Sequence, residues 1–212
     1  MRPRSAMLTA LLVGTFCLAN TPAQEPAKGH ASPRAVFDAA VKASKKKDYK
    51  AFCLLLTPKS QTKLVDRLAG MGMPLESFSD GDVDPKQKDK LAAFDKIMAK
   101  HGLTKDVMGR LKQTDDPKDI EANDKTIDAT VKDKPAFVND MFRWFEEANP
   151  GKGGPGSMEG ITLKDATIVG DKATGTIMVK VDGEEAEEPI AFAKTKRGWL
   201  IVLPEQKAKD KK

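Results

Sequence analysis

The last quarter of the chain is a series of short alternating runs separated by turn residues, and a chain ending this way must build an antiparallel sheet. Lys172–Val181 sets Ala173, Gly175, Ile177, Val179 and Val181 on one face, with Lys172, Thr174, Thr176 and Lys180 on the other. That period of two marks a half-buried strand. Gly170-Asp171 separates it from an earlier run, Ala166-Thr167-Ile168-Val169, and Asp182-Gly183 comes after it. The Asp-Gly pair suits a hairpin turn whose central residues both need positive φ. A third strand is expected around Pro189-Ile190-Ala191-Phe192-Ala193, its proline marking an edge or a strand start. Lys196-Arg197-Gly198 then turns the chain into Trp199-Leu200-Ile201-Val202-Leu203, and Pro204 stops it. The expectation is a meander of about four strands. One face is wet, so something must cover the other.

The segment upstream reads mainly as helices. Ser32-Pro33 is a helix start, with a serine cap and proline at the first position, and Val36, Phe37, Ala40 and Val41 supply its apolar face. Tyr49 to Leu56 forms a second helix, and Thr57-Pro58 closes it and opens a third carrying Leu64, Val65, Leu68 and Ala69. Gly70-Met71-Gly72-Met73-Pro74 breaks the pattern. Leu91, Phe94, Ile97, Met98 and His101 mark a fourth helix, with Gly102 placed as its C-terminal cap. Leu103 to Leu111 reads as a short fifth. Gln113 to Lys134 is ambiguous, because Ile127, Ala129 and Val131 alternate like a strand in very polar surroundings. The helix opened by Pro135 is the most apolar, with Phe137, Val138, Met141, Phe142, Trp144, Phe145 and Ala148. Each large aromatic contributes on the order of 2–3 kcal/mol when fully covered, so this helix requires a sizeable apolar partner surface. The strand face bearing Ile177, Val179 and Trp199 is the expected one, with Asn149 to Gly156 as the hinge between helix and sheet.

The N-terminus sets the expected compartment. Arg2 and Arg4 precede Ala6–Leu18, an uncharged stretch of 13 residues, against the ~20 needed to span a bilayer. Thr21-Pro22-Ala23 places small residues before Gln24, so cleavage after Ala23 and export are expected. A lipid-modified Cys17 is disfavoured by the bulky Phe16 before it. No later segment is expected to insert stably in a membrane. Loss of Arg2 and Arg4 lowers the net charge from +5 to +3. The remaining charges are of both signs and interspersed, unlike a nucleic-acid footprint, which gathers positive charge on one face. Lys45-Lys46-Lys47 reads as a solvated helix end and Lys207 to Lys212 as a frayed tail. Cys53 would be left alone in an oxidising compartment; its place on the stripe Tyr49, Phe52, Cys53, Leu56 makes it a small buried hydrophobe.

Catalytic and ligand motifs fail on inspection. Asp80-Gly81-Asp82-Val83-Asp84 resembles a calcium loop, but Pro85 stands where the loop needs glycine and Leu91 where it needs a bidentate glutamate. Gly151-Lys152-Gly153-Gly154 comes after a helix and lacks the Gly-Lys-Ser/Thr of a phosphate cradle. His30 falls in the polar segment before the first helix, Tyr49 on an apolar stripe, and His101 at a helix C-terminus, where the dipole favours an imidazole. No serine sits in a nucleophile elbow, and no cysteine has a histidine in a recognisable relation. No metal or cofactor is expected.

Two stretches carry a family resemblance. Ser32-Pro33-Arg34-Ala35-Val36-Phe37 through Lys47-Asp48-Tyr49-Lys50-Ala51-Phe52, and Gly170-Asp171-Lys172-Ala173-Thr174 through Lys196-Arg197-Gly198-Trp199-Leu200-Ile201, resemble the first helices and the closing strand pairs of NTF2-like (cystatin-like) secreted bacterial proteins. The helical middle from Gly70 to Lys134 lies outside the match. The resemblance implies a curved sheet wrapped on helices around a cone-shaped cavity, used for small-molecule binding, protein association or, occasionally, catalysis.

The sequence therefore predicts an α+β fold, with a helical N-terminal part packed on a C-terminal antiparallel meander in an NTF2-like cone. A signal peptide over 1–23 and a polar tether over 24–31 precede one domain over 32–203. Within it come helices over 32–149, a glycine-rich hinge over 149–160 and the sheet over 161–203, and a lysine-rich tail over 204–212 ends the chain. The residues expected to line a cavity are Phe137, Met141, Trp144, Ile177, Val179 and Trp199. The expected role is that of an exported, non-catalytic module that binds an apolar small molecule or an envelope protein. The alternative is an NTF2-like hydrolase or isomerase with its site inside the cone.

Overall fold

The computed structural model describes residues 29–71, 85–112, 114, 116–150, 157–181 and 184–204. The leader with Ala23 and Cys17, the Asp80–Asp84 loop, the Gly151–Gly154 stretch, the Asp182-Gly183 turn and the Lys207–Lys212 run lie outside the described residues. Seven helices and four strands occur in order among the described residues: α1 (Pro33–Lys45), α2 (Tyr49–Leu54), α3 (Pro58–Gly70), α4 (Pro85–Lys100), α5 (Lys105–Met108), α6 (Pro117–Thr130), α7 (Lys134–Ala148), β1 (Thr162–Val169), β2 (Lys172–Val181), β3 (Glu184–Thr195) and β4 (Gly198–Val202). The fold class is α+β.

Most helix starts are fixed by side-chain caps that satisfy an otherwise unpaired backbone N–H. Ser32 Oγ accepts from Ala35 N at 3.1 Å, Asp48 Oδ1 from Ala51 N at 3.0 Å, and Asp133 Oδ1 from Ala136 N at 2.9 Å. Proline in the first turn of α1, α3, α6 and α7 removes a donor that would have had no partner there. Gly102, at φ +85°, ends the α4 region in the left-handed geometry its position called for. The short fifth helix is briefer than its pattern and spans only Lys105–Met108. The ambiguous stretch is α6. Asn123, Ile127 and Val131 are buried at intervals of four while Ala129 is exposed, a helical period that overrides the local alternation.

The sheet has order β1-β2-β3-β4, every pair antiparallel. Ala173 lies opposite Phe192, which lies opposite Ile201, and these form the centre of the covered face. A bulge between Leu163 and Asp165 kinks β1. Gly175 permits it, since a Cβ there would stand 2.3 Å from the Asp165 carbonyl oxygen. Pro189 sits mid-strand in β3, opposite Thr176, whose N–H is turned to Asp165 Oδ1 on β1. The missing proline N–H therefore interrupts no bond with β2.

The apolar side chains of the described residues form two clusters. In one, α1 supplies Val36, Phe37 and Ala40, which join Leu55, Leu56, Leu163, Ala173, Phe192, Trp199 and Ile201 over the sheet. In the other, Tyr49, Cys53, Val65, Leu68, Phe94, Met98, Leu103, Ile127 and Val131 pack around Phe137, Val138, Met141, Phe142 and Trp144 of α7. This corrects the expected pairing of the aromatic helix with the strand face. α7 is received by α2, α3 and α4, and α1 covers the sheet. The reason is supply: three neighbouring helices each turn an apolar stripe towards α7, and α1 already covers the centre of the sheet face. Phe52 and Leu64 pack against both clusters and join them.

Truncating the centre of either cluster should cost about 3–5 kcal/mol, the usual range for a buried Phe→Ala. Phe142→Ala and Phe192→Ala are each expected to lower stability by that amount in urea unfolding. Because the clusters are joined, tryptophan fluorescence and far-UV dichroism should still trace one shared transition.

Candidate functional site

α4 is pinned to α7 along its length, and those contacts determine what its other face can do. Trp144 Nε1 donates to the Lys90 carbonyl at 3.1 Å, and Lys90 Nζ donates to the Ala148 carbonyl at 2.6 Å. At the other end His101 Nε2 lies 2.9 Å from Asp140 Oδ2, its ring edge-on to Phe137 with centroids 5.3 Å apart. Lys100 Nζ reaches the same carboxylate oxygen at 2.7 Å. Burial pushes the Asp140 carboxyl up, but the hydrogen bonds from Lys100, His101 and Asn139 outweigh it and hold the group below the usual carboxylate range. His101 thus anchors a helix end.

Beyond His101 the chain turns at Gly102 and returns through Leu103 and Thr104 into the single turn of α5. So short a helix cannot fill the space beside α3 and α4. A groove of about 470 Å³ remains, lined by Ala69 of α3, Phe94, Asp95, Met98 and Ala99 of α4, Leu103 and Thr104 of the connection, and Lys105, Met108 and Gly109 of α5. Phe94, Met98 and Leu103 form a buried floor. Asp95, Thr104 and Lys105 are exposed at the rim, and the Thr104 side chain makes no cap bond to α5. The volume is within the roughly 300–1,000 Å³ of small-molecule sites, and the composition fits them too: an apolar lining with few polar groups. The unbranched thioethers of Met98 and Met108 add a wall that can adjust its shape.

None of the six residues expected to line a cavity touches this groove. Phe137 and Met141 are fully buried in the α7 core, with Trp144 beside them. Trp199 lies in the sheet cluster, Ile177 packs at its margin, and Val179 is half-buried further along β2. The structure does not bring the two sets together. A reading of periodicity treats Phe94, Met98 and Leu103 as ordinary core; the sequence signal that bears on the groove is Gly102 and, after it, a helix too short to close over them.

Several buried and half-buried polar groups serve the packing. Burial pushes the Cys53 thiol up to about 12, so it is a protonated hydrophobe at neutral pH. Tyr49 OH donates to Glu146 Oε1, and burial together with that bond holds the phenol well above its ordinary value. The hydrogen bond from Tyr49, helped by Lys47, lowers Glu146. Asn123 donates to the Lys112 carbonyl at 2.8 Å and accepts from Lys112 N at 3.1 Å, fixing the turn before α6. Among the described residues no group of three or more His, Cys, Asp or Glu could hold a metal ion. No helix among them is long and apolar enough to cross a membrane.

No family model matches the chain, and no curated protein does. One solved structure is similar: an inferred NTF2-like transpeptidase from Campylobacter jejuni, at 19% identity over 55% of this chain and 98% of its own, with a TM-score of 0.21. At that score the likeness supports no argument about this chain's site.

The interface of α3 and α6 carries a cost that can be measured. Burial, with the neighbouring Asp124 carboxylate, raises Asp66 above the usual carboxylate value. A raised acid is penalised when charged, so its burden on the fold is greatest at neutral pH and fades as pH falls through the folded value towards the unfolded one near 4. Asp66→Asn is therefore expected to raise the melting temperature at pH 7, with the gain vanishing below about pH 4. Thermal denaturation at the two pH values checks this.

Proposed function

We propose that the protein is an exported binding module that takes an apolar small molecule into the groove between α3, α4 and α5. The observation that carries this reading is the groove itself, with Phe94, Met98 and Leu103 as its floor and polar groups confined to the rim. An apolar ligand would bury its own apolar surface against that floor at roughly 25 cal/mol per Å², while Asp95, Thr104 and Lys105 could orient a polar end. The export part rests on the sequence alone: Arg2 and Arg4, the Ala6–Leu18 stretch and the small residues before Gln24. Binding is preferred to hydrolysis or isomerisation because general acid–base chemistry needs a titratable group held within reach of the reacting atom. The groove's Asp95 and Lys105 stand exposed at its rim, and the His101–Asp140 pair is committed to joining α4 with α7. Kinship with the NTF2-like proteins belongs to the same proposal, resting on the helix opening and strand pairs of the sequence.

Ala99 lines the groove and is exposed, so a bulky side chain there can occlude the site and leave the core untouched. A fluorescent polyene fatty acid should bind the full chain saturably, and Ala99→Trp should weaken that binding at least tenfold without changing the melting temperature. Equal binding by the two proteins, or none by either, would refute the assignment.

A further inference from the structure

Among the described residues the sheet has three places where another strand could pair: the outer edge of β4, the outer edge of β1 and the part of β3 that β4 leaves uncovered. The outer edge of β4 is bonded to the chain between α2 and α3: Ile201 N donates to the Leu55 carbonyl at 2.9 Å, and Thr57 N donates to the Ile201 carbonyl at 3.0 Å. Further along the same edge, Trp199 N donates to the His30 carbonyl at 3.0 Å. β1 is kinked by its bulge, and Arg34 Nη2 donates to the Leu163 carbonyl there at 2.9 Å; Ala166–Val169 beyond it carries no charged side chain to select a partner. The third place is open. β3 pairs with β2 over its whole length from Glu184 to Ala193, whereas β4 covers only Ala191 to Thr195. Among the described residues nothing pairs with the β4 side of Glu184–Ile190.

The hydrogen-bond parity of that half-edge is set by its neighbours. Ile201 spends its N–H and C=O on the outer side, so Leu200 and Val202 face β3, and their partners Ala193 and Ala191 face β4. Continued by twos, the N–H and C=O of Glu185 and Glu187, with the C=O of Pro189, point to the open side. Four carboxylates border it: Glu185 and Glu187 on one face of the sheet, Glu184 and Glu188 on the other. Lys164 pairs with Glu187 at 2.6 Å. Glu184, Glu185 and Glu188 make no ion pair among the described residues.

We propose that Glu184–Ile190 is an acceptor edge for an extended basic segment of a partner protein, which adds to the sheet as a fifth strand. Main-chain bonds to Glu185, Glu187 and Pro189 supply the pairing, and alternating cationic side chains meet the carboxylates on either face. Small apolar residues fit between them, over Ala186 and Ile190. Charge selects this occupant, because a second copy of the same edge would set carboxylates against carboxylates, which is destabilising across a strand pair.

The test uses the full chain and a labelled, end-capped heptapeptide with lysines opposite Glu184, Glu185, Glu187 and Glu188, valines opposite Ala186 and Ile190 and a threonine opposite Pro189, monitored by fluorescence anisotropy. Saturable binding is expected. It should weaken at least tenfold in the triple variant Glu184→Gln, Glu185→Gln, Glu188→Gln, which leaves the Lys164–Glu187 pair intact. Glu185→Pro should also weaken it, by removing an N–H that faces the open side and not β2. A peptide N-methylated at alternate residues should fail to bind. Equal affinity for the triple variant, or for the methylated peptide, would overturn the proposal, the latter by reducing it to charge attraction without strand pairing. A tenfold rise in affinity on truncation after Pro204 would also overturn it, since the chain's own lysine-rich end would then be the occupant.

Discussion

Two hydrogen bonds between β4 and the turn joining α2 to α3 connect the two halves of the molecule. Ile201 gives its N–H to Leu55 and its C=O to Thr57, so a helix connection is treated by the sheet as one more strand residue. Leu203 N extends the contact to Ser60 Oγ at 3.0 Å, and Arg67 reaches the Pro204 carbonyl at 2.7 Å. The geometry depends on Gly198, whose φ of +103° and missing Cβ let the β4 start run against Gly29 and His30, where a Cβ would lie 2.6–2.7 Å from their backbone atoms. With β4 fixed there, Leu55 and Leu56 enter the sheet cluster while Phe52 and Leu64 turn towards both cores.

This connection leaves the helical layer free to organise itself. α7 has no need to serve the sheet and becomes the axis of a core of its own, with Tyr49 edge-on to Phe142 at 4.9 Å and Phe94 tilted on Trp144 at 5.2 Å. α4 is then held by α7 at both ends, and among the described residues the next element in the chain covers its far face. That element, α5, is a single helical turn, and the groove is the gap that turn cannot close. The candidate site is thus a consequence of chain length between Gly102 and α6 more than of any motif.

Much of this architecture was legible in the sequence because it rests on local physics. The alternation of Lys172–Val181, the cap at Ser32, the helix-opening prolines Pro33, Pro58 and Pro135, and Gly102 act within a few residues of themselves, and the structure places them as their chemistry requires. α6 was hidden because Ile127, Ala129 and Val131 alternate over too short a span to separate a period of two from one of 3.6; only the burial of Asn123, Ile127 and Val131 decides it. The partner of α7 was hidden for a different reason. Periodicity shows that Phe137, Met141 and Trp144 must be buried, but it carries no information on which apolar surface receives them. The groove was illegible on the same ground, since a floor residue such as Met98 has the pattern of a core residue until the covering element proves too short.

The most direct measurement is a crystal structure of the full chain grown with a polyene fatty acid. The account predicts ligand density between Phe94, Met98, Leu103 and Met108, with its polar end beside Asp95, Thr104 or Lys105. Density against Ile177 and Val179 on the sheet, with the α3–α4–α5 groove empty, would contradict it and return the site to the strand face.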